Sequence, residues 1–274
     1  MIVITGATGN IGRALAGRLH GHGHDTLAVV RRPADDLGSP YAPADFDEPR
    51  TIGALLSPGD RLFLNSGIWP GFVDAHRAVI DLAAEAGVAQ IVAVSVRGAA
   101  PGARLGMGMH GLVDAHLRKS GVPYAILQPS GFMQTLPRDF RDGTMYGSYG
   151  HTPVNYIDTR DIADVAAALL TSPVGPSREY LLTGPPSLSH DAIAAQAAEV
   201  LGREVRYVNL SVPEMAAHLE GRGVPQPFAG ELAELQAETG DGSWAPATGV
   251  VREVTGHAPR TWQDFLTDHK DAFA

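Results

Sequence analysis

The sequence predicts an α/β fold, a doubly wound parallel sheet followed by a small C-terminal α+β domain. Three observations carry this. Short β-branched runs alternate with amphipathic stretches through the first half, the first run opens into a glycine-rich turn and a helical pattern, and the alternation loosens after Pro129.

Strands are expected over Met1–Thr5, Thr26–Val30, Arg61–Asn65, Gln90–Ser95 and Tyr124–Gln128, each apolar and bounded by turn residues, as buried parallel strands are. Helical spacing falls between them, over Ile11–His20, Pro49–Leu56, Val73–Ala86 and Leu112–Ser120; the third puts Val73, His76, Val79, Ile80 and Ala83 on one stripe. Beyond Pro129, Gly143–Pro153 reads as a loop, and Asp158–Asp161 supplies caps for a helix over Ile162–Leu170. Strands at Glu179–Thr183 and Val205–Leu210 flank a helix over Asp191–Leu201, and short helices broken by Gly and Pro follow from Val212. The expected layout is a nucleotide-binding domain over 1–150, with 151–183 returning to it, and a mostly helical cap over 184–274.

Composition narrows the partners. The 274 residues are 44% apolar and 19% charged with a formal net charge of −9, which suits a globular protein and not a phosphate-binding nucleic-acid surface. No apolar run reaches the length of a membrane span, and no leader pattern precedes Ile2-Val3-Ile4. Cysteine is absent, which excludes a thiol nucleophile and a disulfide frame and fits a cytoplasmic location. The expected partner is a small apolar or aromatic molecule, and a homodimer is left open.

The chemistry begins at Thr5-Gly6-Ala7-Thr8-Gly9-Asn10-Ile11-Gly12. Three glycines between a strand and a helix allow a tight turn, let backbone N–H groups approach a pyrophosphate, and place the helix N-terminus against it. This is the Rossmann-type arrangement, with Gly6, Thr8, Gly9, Asn10, Ile11 and Gly12 as expected cofactor contacts. Where an NAD site usually has an acid at the end of the second strand, this chain has Arg31 and Arg32; Arg31 suits the 2′-phosphate of NADP, although a strand-end arginine also serves simple solvation. Asp45 and Phe46 could flank the adenine or merely form a strand-end turn. Asn65, Ser66, Gly67, Ser95, Pro129 and Phe132 complete the expected cofactor set.

The stretches Thr5–Gly12, Ala44-Asp45-Phe46-Asp47, Val94-Ser95, Leu127–Met133, Asp161-Ile162-Ala163 and Val254–Thr261 resemble the NmrA-like branch of atypical short-chain dehydrogenases. The resemblance spans nearly the whole chain. It implies an NADPH-dependent reductase of a quinone-like, enone or aromatic carbonyl compound, or alternatively an inactive NADP-sensing regulator that docks a protein partner.

The usual Tyr-x-x-x-Lys pair is missing: none of the seven tyrosines has a lysine four residues on. The substitute proton donor is His110, at the start of the Leu112–Ser120 helix, with Asp114 one turn along to orient it; water is the competitor. Ser95 is expected either to hydrogen-bond a substrate carbonyl or to touch the nicotinamide ribose. Ile68, Trp69, Phe132, Met133 and Tyr146 are the expected substrate wall, each also readable as core. His20, His22 and His24 read as a solvated turn, and no metal is expected.

Overall fold

The computed structural model describes residues Met1–Phe273. In chain order the first elements are β1 (Ile2–Ile4), α1 (Asn10–Gly21), β2 (Thr26–Val30), β3 (Tyr41–Pro43), α2 (Pro49–Gly53), β4 (Arg61–Leu64), α3 (Phe72–Ala86), β5 (Gln90–Val94), α4 (Leu105–Leu117) and β6 (Tyr124–Pro129). There follow β7 (Gly131–Phe132), β8 (Phe140–Arg141), β9 (Thr144–Gly147), β10 (Tyr156–Ile157), α5 (Thr159–Thr171), β11 (Arg178–Leu182), α6 (His190–Leu201) and β12 (Arg206–Asn209). Four helices close the chain: α7 (Val212–Gly221), α8 (Phe228–Thr239), α9 (Val250–Thr255) and α10 (Trp262–Asp268).

These elements form two units, described separately. The first comprises Met1–Pro129, Thr159–Leu182 and Val250–Gly256. Its seven-stranded sheet has the order β11-β6-β5-β4-β1-β2-β3 and every pairing is parallel. Strands such as Ile2-Val3-Ile4 and Gln90–Val94 are apolar on both faces because helices cover both. Leu62, Leu64, Phe72, Ile80, Ile91, Leu117 and Ile126 meet in one core, each contributing roughly 1.5–3 kcal/mol by burial. Helix α5 is buried on most of its surface, and Arg61 binds its terminal carbonyls, with Nη1 2.7 Å from Leu170 O. Strand order reverses between β1 and β4, and a ligand crevice opens at the carboxyl ends of strands at such a switch point.

The second unit comprises Ser130–Asp158, Thr183–Gly249 and the segment from His257 onward. It holds a parallel pair, β10-β7, and a three-stranded sheet, β12-β9-β8. Met133, Leu136, Met145, Ile193, Trp262, Phe265 and Phe273 form its core, where Trp262 Nε1 donates to Ile193 O at 3.1 Å.

Three expectations are corrected. The first unit ends at Pro129 and not near 150; residues 151–158 lie in the second unit, and Val250–Gly256 returns to the first. Thr144–Gly147 is a strand inside the stretch expected as loop, because Asp142 and Gly143, both at positive φ (47° and 74°), make a tight turn between β8 and β9. Helix α4 begins at Leu105, seven residues before the expected start. Its glycines weaken the helical signal, yet they serve close packing: a Cβ on Gly108 would lie 2.2 Å from Ala103 O, and one on Gly111 would lie 2.1 Å from Ala100 C. His110 therefore stands in the second turn of α4.

Candidate active site

The crevice of the first unit is built at β1 and β4. Thr5 Oγ1 lies 3.0 Å from Phe63 O and accepts from Asn65 N at 2.9 Å, which ties the ends of the two strands together. The chain then turns at Gly6 (φ 62°), where a Cβ would sit 2.6 Å from Asn65 O; at Gly12 a Cβ would sit 2.2 Å from Gly6 O. Only glycine fits either place. Helix α1 opens after Gly9 with no side-chain cap and no acid in its first turn, while Ile11 and Gly12 are buried beneath it. Thr8, Gly9 and Asn10 are exposed, so the start of this helix, whose leading amides have no helical partner, opens at the surface and suits an anion such as a pyrophosphate.

At the end of β2, Arg31 and Arg32 are exposed, and among the described residues neither has an ion-pair partner. Arg13, by contrast, is paired with Asp36 at 2.8 Å and pins the following loop to α1. Asp45 Oδ1 accepts from Asp47 N at 3.1 Å, a strand-end turn that presents Phe46. Phe46 stacks on His76 (4.5 Å, 13°), and His76 also meets Phe72 (4.0 Å). Trp69, expected in the substrate wall, packs instead against Phe46 (5.7 Å) and donates from Nε1 to Asp47 at 3.2 Å, which places it with the residues expected at adenosine.

Toward β5, Ser95 is 2% exposed and its hydroxyl donates to Asp114 Oδ2 at 2.7 Å. Its single proton is thus committed, and Ser95 fastens α4 to the head of β5; it is not an open donor to a carbonyl. Asp114 is likewise engaged with Ser95 and does not charge His110. Burial pushes Asp114 up to about 6, against the lowering effect of the Ser95 bond and Arg118. Burial also holds His110 down at about 4, so the imidazole is neutral at pH 7; it meets Phe72 edge-on (4.9 Å, 72°). Ile68 is 52% exposed and comes close to α4, since a Cβ on Gly106 would lie 2.5 Å from its Cδ1. The carbonyl of Pro129 is taken by Arg97 N at 2.9 Å.

The remaining expected residues lie in the second unit. Phe132 is half-buried at β7. Met133 is 2% exposed and packs in the core of the second unit with Leu136, Ile193 and Trp262. Tyr146, half-buried on β9, packs on His218 (4.7 Å). The residue that sequence reasoning undervalued is His76, read only as part of a helical stripe; its signal is a histidine on the buried face of the helix that follows β4.

Residues 6–173 match a family model described as NAD(P)H-binding. The chain belongs to the NAD(P)H-binding family. Its NmrA-like reductase resemblance agrees with the relatives. It is 33% identical to an NAD(P)H azoreductase of Xenophilus azovorans over 283 residues, covering 100% of this chain and 99% of the relative. Its fold is similar to that of an NADPH-dependent quinone oxidoreductase of Escherichia coli in complex with NADPH, at 26% identity, 98% and 99% coverage and a TM-score of 0.86. A Citrobacter triphenylmethane reductase in complex with NADP(H), 21% identical over 97% of this chain and 100% of its own, shares the fold with a TM-score of 0.83. The chain is an NAD(P)H-dependent oxidoreductase, and the regulator alternative is not favoured. Among the described residues no helix is long and apolar enough to cross a membrane.

Proposed function

We propose that this oxidoreductase is an NADPH-preferring reductase of flat, conjugated acceptors of the azo or quinone class. The observation that carries the reading is the glycine cradle at the head of β1, with unpaired Arg31 beside it at the end of β2. An azo compound and a quinone, the acceptors for which the azoreductase and the quinone oxidoreductase are named, share one chemistry, a conjugated double-bond system that takes up a hydride and a proton, two electrons and two protons in all.

When bound, NADPH supplies a hydride. The amides at the start of α1 hold the pyrophosphate, and the Arg31 guanidinium pairs with the 2′-phosphate. Ile68 offers an exposed apolar surface at the crevice for an aromatic acceptor. His110, neutral at pH 7, donates an N–H hydrogen bond to the acceptor oxygen or nitrogen that gains charge, and water supplies the balancing proton.

The test is NADPH oxidation across quinones and azo dyes, with Arg31→Ala alongside. We expect the variant to weaken NADPH by about ten- to a hundredfold, the loss of a charge-assisted phosphate contact, while NADH shifts by about twofold or less. Tight NADPH binding without turnover of any acceptor would overturn the reductase reading. Equal losses for both nucleotides would remove Arg31 from the 2′-phosphate.

A further inference from the structure

His76 is 3% exposed on α3, and its two nitrogens are both engaged. Nδ1 lies 2.8 Å from Phe72 O, an acceptor, so Nδ1 carries the proton. Nε2 is then a bare lone pair, 3.2 Å from Ser66 Oγ. The opposite tautomer would set two lone pairs against each other at Phe72 O. Ser66 has one hydroxyl proton and a second acceptor within reach, Gly67 O at 2.8 Å. Gly67 is exposed and its carbonyl can turn to water, whereas a bare His76 Nε2 has no such recourse in its buried setting. The proton therefore goes to His76. Burial holds His76 down at about 4, opposed by the Phe72 bond and reinforced by His110, so the ring stays a neutral acceptor through the physiological range.

The same ring lies flat against Phe46 (4.5 Å, 13°) at the end of β3. One buried imidazole thus fixes two separate parts of the crevice: the loop after β4, through Ser66, and the aromatic side chain after β3. Phe46 lies on the side of the switch point marked by Arg31, where the adenosine half of a dinucleotide sits, and Ser66 follows β4, the strand that faces β1 directly across that point.

We propose that His76 is a positioning residue for the adenosine half of the cofactor, holding Phe46 by stacking and Ser66 as a hydrogen-bond acceptor toward the ligand. This rests on the dinucleotide reading given above. Ser66, its proton spent on His76, presents lone pairs to the crevice and takes a ligand hydroxyl or amine.

The experiment compares dissociation constants of NADPH, 2′,5′-ADP and reduced nicotinamide mononucleotide for the unaltered protein, His76→Asn, His76→Phe, Ser66→Ala and the Ser66→Ala/His76→Phe pair. His76→Asn loses both functions and should weaken NADPH and 2′,5′-ADP by about tenfold, the worth of one or two ordered contacts, while the nicotinamide half and kcat move by about twofold or less. His76→Phe keeps a ring on Phe46 and loses only the acceptor, so about threefold is expected, with no further loss in the pair. Its near-native volume keeps the test informative where His76→Asn melts early. Equal weakening of both half-ligands, or no change in either, overturns the inference while leaving the cofactor reading intact. An unaltered protein that binds no NADPH overturns both.

Discussion

Helices of the two units begin in different ways. In the first unit α1, α3 and α4 start without any side-chain cap. In the second, Ser189 caps α6, while α7 and α10 carry complete capping boxes, Ser211 with Glu214 and Thr261 with Asp264, and α8 starts after Pro227 without a cap. The buried polar groups differ in the same sense. Thr5, His76, Ser95 and Asp114 sit where the parallel strands run out, around the crevice. In the second unit Tyr149 stacks on His190 (3.9 Å, 12°), whose Nε2 bonds the Tyr156 hydroxyl at 2.9 Å, and Tyr207 bonds Asn209 at 3.0 Å. One unit leaves helix starts uncapped and gathers its bonded polar groups around the crevice; the other caps three of its four helices and uses rings and hydroxyls to join strands of two to four residues.

If the second unit is held by such rings, its stability should concentrate in few side chains. Trp262 is 3% exposed, stacks on Phe265 (5.4 Å) and donates to Ile193 O. Trp262→Ala should lower the unfolding free energy by about 3–5 kcal/mol, since it opens a cavity and strands a carbonyl. Trp69→Ala in the first unit, where the ring is half-buried, should fall below that range. Urea denaturation of both variants checks this, and comparable losses would break the comparison.

The next effect is read by pH. His76 and His110 are held at about 4, and His190 at about 3, all by burial. Each stays neutral in the fold while the unfolded chain binds a proton below about 6.5, so stability is lost as pH falls through that value. Asp114 at about 6 and Asp139 at about 7 act oppositely, because the fold binds their protons where the unfolded chain does not. The first unit sets two histidines against one carboxyl; the second sets His190 and the less buried His218, which burial also lowers, against Asp139, whose shift is the larger carboxyl one. From pH 7 to 5 the first unit should lose roughly 2–3 kcal/mol and the second less. Hydrogen exchange resolved by peptide measures both; equal losses would refute the assignment.

How far the sequence was readable follows the same division. The parallel strands of the first unit are short apolar runs with local boundaries, so β1, β2, β4, β5 and β6 lie where their residues indicate. The cradle was legible because Gly6 and Gly12 answer to a backbone requirement that no other residue meets. Helix α4 was misread at its start, since Gly106, Gly108 and Gly111 serve packing against a loop that local propensity does not reveal. The Ser95–Asp114 bond and the His76 contacts join residues distant in sequence, and periodicity gives them no signal. The second unit draws on three separate segments, which no local pattern could assemble.

The smallest effects test the helix ends themselves. Ser211 Oγ accepts from Glu214 N, and Glu214 Oε2 accepts from Ser211 N at 2.8 Å. Ser211→Ala removes half of that box and should cost about 1 kcal/mol, read as a lower melting temperature. At α1 the logic inverts. Gly9 has an ordinary backbone conformation (φ −81°, ψ 172°), so Gly9→Asp can supply the cap that the chain lacks. The gain in stability should be only a few tenths of a kcal/mol, because glycine is already a tolerable cap. Yet the new carboxylate would occupy the amides and repel phosphate, so NADPH affinity should fall by about a hundredfold or more, the reverse of its effect on melting. A variant that melts higher and binds NADPH unchanged would show that the open end of α1 is not where the pyrophosphate rests.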